Sequence, residues 1–238
     1  VALAGRRPIY VIRFQGFGWY NVISLVNYAA KSKEIWNFPC PLFVRSIGVE
    51  GTGIGPVASS CQHSLVMRMP GIKVCAPMTP SEWSKCWNDF LVDDDPYYCS
   101  EHRRSFTIDY EMDDIIKEKA DLTIFAISAS RLNTIEAVKE LDNQGIKCNV
   151  IHTVWLKPFK ASELALKALQ RTKVGLVLDS DFEICGASRS IAYELMLQTG
   201  CKVVARGLQD RTCGIAVRKE NITPSVTDVI SQVKEITK

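Results

Sequence analysis

Short apolar runs alternate with stretches of helical periodicity along this whole chain, and that alternation leaves few folds open. Strands are predicted at 9–13, 41–45, 72–75 and 97–100, with helices at 19–31, 59–69 and 80–91. A second series predicts strands at 122–127, 147–154, 174–178 and 202–205 and helices at 132–143, 161–170, 188–198 and 223–236. Strands separated by helices run mainly parallel, and a parallel sheet needs both faces covered. The predicted class is therefore α/β, with two mainly parallel-sheet domains. Local signals agree. Thr79-Pro80-Ser81-Glu82 is a capped helix start. Asp93-Asp94-Asp95-Pro96 breaks that helix, and Gly145 ends a later one in the left-handed conformation. Residues 103–119 dissolve into charge (RRSFTIDYEMDDIIKEK). This places a first domain at 1–108, a linker at 109–119 and a second domain at 120–238.

Composition removes several function classes. No apolar run approaches the ~18 residues of a membrane span. The net charge is +3 with Lys and Arg scattered, which gives nucleic acid no basic patch. Nine cysteines are dispersed in apolar runs without a C-x-x-C. They read as reduced, buried thiols in a cytoplasmic compartment or one resembling the mitochondrial matrix. Of three histidines none lies close to a cysteine pair except His63 near Cys61, so no metal site is expected.

The segment 5–31, GRRPIYVIRFQGFGWYNVISLVNYAAK, concentrates the candidate chemistry. A strand runs straight into a long helix, and Phe14, Phe17 and Tyr20 recur every three residues on one side of the helix start. The mouth of such a turn is where open α/β sheets bind ligands. Two readings stand: the aromatics are core, or they form a platform for a flat heterocycle. Gly16 and Gly18 permit close backbone approach in either case. The stretch 46–56, SIGVEGTGIGP, is a glycine-rich loop without the Lys-Ser/Thr of a phosphate loop or the spacing of a dinucleotide fingerprint. It fits a mobile active-site loop or a plain connector. His63 fits an acid–base group or a half-buried structural histidine. Glu101-His102-Arg103-Arg104, past a strand end, fits an anion clamp or a solvated face. Asp179 and Asp181 bracket a strand end, and His152 and Lys157-Pro158-Phe159 read as strand end and turn. No G-x-S-x-G elbow supports serine hydrolysis.

Taken in order, several segments resemble the transketolase superfamily of thiamin diphosphate enzymes, in particular the β subunit of the first component of 2-oxo-acid dehydrogenases of the pyruvate type. They are 5–31, PLFVRSIGVEGTGIGP, MPGIKVCAPMTPSEW, DDDPYYCSEHRRSF, VIHTVWLKPF and ITPSVTDVISQVKEI. The resemblance covers essentially the whole chain. It implies a pyrimidine-binding domain followed by a transketolase-type C-terminal domain. It implies thiamin diphosphate as cofactor, with the diphosphate and magnesium held mainly by a partner, an alpha-type or diphosphate-binding subunit. Phe17 would stack on the pyrimidine, and Phe14 and Tyr20 would wall the pocket. A homodimer or heterotetramer is implied, as is cleavage of a carbon–carbon bond next to a carbonyl through the thiazolium ylid, in a 2-oxo acid or ketose.

Two departures accompany the resemblance. The family's activating glutamate lies before the G-x-R-P motif. The opening VALAG reads as the end of a helix that starts earlier, so this stretch alone is expected to be inactive. The family's substrate histidine, in a G-P-x-H-S-x-C-like context, aligns without gaps on Ala58. His63 lies five residues on, more than one helical turn away, and substitutes only if the loop is shifted. A non-catalytic scaffold or regulatory subunit is the alternative that Ala58 favours. An oligomerisation fragment of a longer chain is a third.

Overall fold

The computed structural model describes residues 1–20, 22–51, 53–216 and 220–238. The chain forms two compact units, and two short later segments return to the first. That unit comprises Val1–Glu111, Val154–Pro158 and Arg211–Asn221; the other comprises Met112–Thr153, Phe159–Asp210 and Ile222–Lys238.

In the first unit β1 (Ile9–Ile12) leads into a 3-10 turn (Gln15–Tyr20), a π-helical stretch (Ser24–Ala29) and α1 (Ala30–Trp36). Then follow β2 (Phe43–Gly48), α2 (His63–Met67), β3 (Lys73–Cys75), α3 (Pro80–Val92) and β4 (Tyr97–His102). In the second unit the order is β5 (Leu122–Ile127), α4 (Ser130–Asn143) and β6 (Cys148–Thr153). The short strand β7 (Trp155–Lys157) belongs to the first unit. The second unit resumes with α5 (Glu163–Thr172), β8 (Val174–Phe182), α6 (Ala187–Thr199), β9 (Lys202–Leu208) and α7 (Val226–Ile236). The first sheet has the order β1-β2-β4-β3-β7, parallel except for β7, which runs antiparallel to β3. The second, β6-β5-β8-β9, is parallel throughout.

The α/β class expected from the alternation is the one observed, and the departures have local causes. The helix predicted over 19–31 is not one α-helix. The Gly16 and Gly18 backbone tightens its start into the 3-10 turn, and regular α-helix begins only at Ala30. Asn21 lies outside the described residues. The helix predicted over 59–69 shrinks to α2. Ser60 takes φ 80° and its N–H bonds to the Val49 carbonyl at 2.7 Å, so this backbone closes a loop instead of starting a helix. Four strands outrun their apolar pattern. Parallel pairing carries β2 and β4 on together through Ser46↔Ser100 and Gly48↔His102, and β8 and β9 also extend.

Charge and caps set the helix ends. The Glu82 carboxylate accepts from the backbone N–H of Met78 (2.8 Å) and Thr79 (3.2 Å), fixing the start of α3. Ser225 and Asp228 form a reciprocal cap that starts α7 after Pro224, later than the predicted 223.

Each sheet has its own core. In the first unit Phe43 lies 5.3 Å from Trp87, 5.1 Å from Phe90 and 6.2 Å from Tyr97, centroid to centroid. Trp155 of β7 closes this cluster edge-on against Tyr97 at 5.8 Å. Cys75, Cys86 and Cys99 fill the small spaces between the rings. In the second unit Leu122, Ile124 and Leu176 of the sheet meet Leu141 of α4 and Val229 and Val233 of α7. All nine cysteines are free thiols, most of them buried. Among the described residues no helix is long and apolar enough to cross a membrane.

Phe43 is almost fully buried and touches both α3 and β4. Phe43→Ala is expected to lower unfolding stability by about 3–5 kcal/mol, the usual cost of an emptied aromatic site, as measured by urea denaturation.

Candidate functional site

The mouth of the first sheet is organised by one buried side chain. Gln15 ends the run out of β1, and its amide nitrogen donates to the Ser46 carbonyl (3.0 Å) and to Ser100 Oγ (2.8 Å). Its amide oxygen accepts from the Gln62 backbone N–H at 2.6 Å. One residue therefore ties the 3-10 turn to β2, to β4 and to the start of α2. The network spreads from there. His63 Nδ1 lies 2.9 Å from Ser100 Oγ, the Tyr98 hydroxyl donates to Ser46 Oγ (2.8 Å), and Trp19 Nε1 donates to Gln62 Oε1 (2.7 Å). Gly16 must be glycine because a Cβ there would run into the Val57 carbonyl. The turn is thus pressed against the loop that precedes α2.

The Phe14 and Phe17 rings meet at 5.9 Å with their planes tilted by 58°. Phe17 keeps 44% of its surface exposed, and the Arg13 guanidinium sits over Phe14 at 5.8 Å. Tyr20, three residues on, is 81% exposed. The turn brings Phe14 and Phe17 together and leaves Tyr20 in solvent. An open apolar ring beside a rigid polar floor suits one face of a flat heterocycle. A mainly apolar cavity of about 380 Å³ lies on another side of the same turn, lined by Ile12, Val44, Leu65, Tyr98, Gln15 and Trp19. Phe14, Phe17 and His63 do not line it, so it is separate from the aromatic pair.

His63 is fully buried at the first position of α2 and offers no surface to a substrate. It acts on its surroundings through Ser100. Ala58 is also buried, within the loop. The loop closes at its neck through Val49 and Ser60 and is held across by the Ser59 N–H on the Gly55 carbonyl (3.2 Å). Of the 51–56 stretch, Thr52 lies outside the described residues.

The quartet 101–104 is neither a clamp nor a uniformly solvated face. Glu101 and His102 are buried residues of β4, and only Arg103 of the four is exposed. Glu101 takes Arg45 in a two-pronged ion pair at 2.7–3.0 Å, which raises the Arg45 pKa, and that guanidinium lies over Trp83. His102 Nδ1 accepts from the Arg104 N–H (3.2 Å), and its Nε2 stands 4.0 Å from Glu50, which also faces Arg104 at 3.6 Å. Burial pushes His102 down to about 4; Glu50 opposes that, while Arg104 and His63 add to it.

The other candidates lie elsewhere. Asp179 and Asp181 are buried in the second unit, each accepting the next residue's N–H at 2.7 Å. His152 receives Arg131 Nε on Nδ1 (3.1 Å). Lys157 donates to the Met69 carbonyl, and burial lowers its pKa. Among the described residues no group of three or more His, Cys, Asp or Glu side chains is placed to hold a metal. Sequence reading missed Gln15, Ser46, Ser100 and Gln62. Gln15, Ser46 and Ser100 carry one signal, a polar residue at or just past the end of a predicted parallel strand; Gln62, inside the predicted helix 59–69, carries none.

Residues 1–107 match the family profile described as transketolase, pyrimidine binding domain, and residues 114–231 match the transketolase C-terminal domain. The chain is 23% identical to the pyruvate dehydrogenase E1 component subunit beta of Rickettsia felis, over 99% of this chain and 77% of the relative. It is 25% identical to the 2-oxoisovalerate dehydrogenase subunit beta of Bacillus subtilis, over 76% of this chain and 60% of the relative. Among solved structures, a split-gene transketolase described as an inactive beta4 tetramer superposes with a TM-score of 0.77. Its identity is 19%, over 99% of this chain and 77% of that one. The transketolase of Campylobacter jejuni gives 0.68 at 16% identity, over 96% of this chain and 35% of that one. At such identities the two structures establish the fold.

His102 builds a pH dependence into the site. Its folded value of about 4 lies below the ordinary 6.5. Between those limits the unfolded chain binds a proton that the folded one refuses. Stability is full above about pH 6.5, falls as pH drops through the window, and levels off below 4, a loss on the order of 3 kcal/mol. Urea unfolding at pH 7 and pH 4.5 is expected to show this loss in the native sequence and a smaller one in His102→Asn. Equal losses in both would assign the dependence to other groups.

Proposed function

The chain belongs to the transketolase family, and on that premise we propose that it is the β-type subunit of a thiamin diphosphate-dependent enzyme acting on a 2-oxo acid or a ketose-like donor. The observation that carries this reading is the open Phe14–Phe17 pair, held by Gln15 at the carboxyl ends of parallel strands. The β-subunit relatives from pyruvate and 2-oxoisovalerate dehydrogenases support the same assignment. When bound, the cofactor supplies a thiazolium carbon able to break the bond next to a carbonyl.

This chain's residues would do the positioning. Phe17 lies against one face of the aminopyrimidine, and Phe14 backs Phe17 from the side. Tyr20 walls the outer edge. The 51–56 loop closes over substrate. The buried His63 is a positioning residue: it holds the Ser100 hydroxyl, which with Ser46 fixes the Gln15 amide and so the aromatic turn. Diphosphate and magnesium fall to an alpha-type partner or another diphosphate-binding chain, in a homodimer or heterotetramer. The free thiols support a reducing compartment.

One observation favours a second reading. Ala58 has no titratable group, aligns without gaps on the position of the family's substrate histidine in the resemblance, and is buried. General acid–base help is worth ~10²–10⁴-fold, so a subunit without it fits a scaffold or regulatory role.

Phe17→Ala in the assembly with its alpha-type partner separates the two. Loss of a stacked face is expected to weaken thiamin diphosphate about tenfold, read by titration of cofactor fluorescence quenching. Unchanged affinity with unchanged turnover would remove the catalytic role and leave the scaffold.

A further inference from the structure

The apolar cavity beside the aromatic turn has a chemistry of its own. Its volume is about 380 Å³. The floor is buried: Ile12, Val44, Val66 and Tyr98 are each at most 7% exposed. The lip is open: Ile9 and Trp19 keep 51% and 52% of their surface in solvent. Large apolar side chains left in water around the mouth of an apolar hollow are the surface that a bound molecule would cover. One wall has unusual backbone. Leu25 lies on the π-helical stretch Ser24–Ala29, and its carbonyl accepts the Ala30 N–H. π-Helical backbone is rare and concentrates at functional sites.

The lining decides what the cavity can take. Among the described residues no charged side chain borders it. Its polar groups are spent on one another or on the strands. Both ends of the Gln15 amide are bonded, the Tyr98 hydroxyl donates to Ser46 Oγ (2.8 Å), and Trp19 Nε1 donates to Gln62 Oε1 (2.7 Å). An ion would shed its water here with no opposite charge to meet it, so charged molecules are excluded. Gln62 uses its side-chain oxygen on Trp19, which leaves its amide nitrogen as a donor. One acceptor on an otherwise apolar molecule would take it. An apolar cavity of about 150 Å³ already holds a benzene ring, so the room here suits roughly two rings.

We infer that this cavity is a binding site for an uncharged, largely apolar small molecule with one acceptor oxygen, distinct from the Phe14–Phe17 face. The molecule would lie against Ile12, Val44, Leu65 and the Tyr98 ring, with Trp19 along its outer edge and its oxygen toward the Gln62 nitrogen. A polypeptide segment suits the cavity less well. It would bring several N–H and C=O groups into a wall whose polar atoms are already engaged, and unmet backbone groups are costly. The site needs no thiamin diphosphate and goes beyond the proposed function.

Titration of the full chain with 2-acetylnaphthalene, followed by methyl and indole NMR, tests the site without any activity. Saturable one-to-one binding is expected, with shifts confined to the methyls of Ile12, Val44 and Leu65 and the Trp19 indole. Naphthalene-2-carboxylate has the same rings with a charge and is expected to bind roughly tenfold more weakly or worse. Leu65→Trp fills the space from a half-buried position on α2 and is expected to weaken 2-acetylnaphthalene by a similar factor, roughly tenfold. Should Leu65→Trp not fold, Gln62→Leu removes the donor and must weaken 2-acetylnaphthalene several-fold while leaving naphthalene itself unchanged. Absence of saturation would overturn the inference, as would shifts spread over Tyr28, Ile35 and other exposed apolar residues. Equal affinity for the carboxylate, or affinity indifferent to Leu65→Trp, would overturn it too. The same titration on the assembly with its alpha-type partner sorts the remaining occupant. Retained binding supports a ligand site, and loss of the probe there would give the cavity to the partner chain and refute it.

Discussion

The Gln15 amide is the interaction on which the first unit's site depends. Its two ends bond to three different elements, β2, β4 and the start of α2, from a position at the end of β1. Buried polar groups are costly unless satisfied, so this side chain forces its neighbours to supply partners in fixed places. That requirement sets the 3-10 turn, and the turn sets where Phe14 and Phe17 present their rings. Gly16 is part of the same constraint, because the turn can meet the 57 carbonyl only without a Cβ. The aromatic pair is therefore rigid for reasons that lie beneath it.

Legibility in the sequence followed the range of each interaction. Elements governed by local signals were readable: α3 begins at its Pro80, β5 follows its apolar run, and α4 ends before Gly145. The α/β class followed from alternation alone. Elements governed by distant pairing were not readable. Ser46 to Gly48 and Glu101 to His102 lie beyond the predicted strands, yet each strand continues because the other does. Ser59 and Ser60 have ordinary helix-start chemistry, but their backbone is spent on the loop neck and on Gly55. The spacing of Phe14, Phe17 and Tyr20 was visible; that only the first two meet was not, since the 3-10 turn replaces the expected helix. Gln15 itself looked like one more polar turn residue.

The histidines show how residue identity and position separate. A family resemblance directs attention to a histidine near 58, and the nearest one is His63. The fold buries it under the network, bonded to Ser100, where it can hold a hydroxyl but cannot meet a substrate. His102 is buried as well, and the Arg104 N–H on its Nδ1 favours the neutral ring. Both rings thus serve the architecture of the mouth.

That division bears on how the chain can be altered without losing its fold. The floor of the site is made of hydrogen bonds among the neutral side chains of Gln15, Ser46, Ser100 and Tyr98, which salt does not screen. The rim is made of carboxylates, Glu50 and Glu220, facing an arginine and a backbone N–H. Screening and competing anions act on the rim alone. A change in ionic conditions therefore weakens the contacts of the rim before it touches the floor.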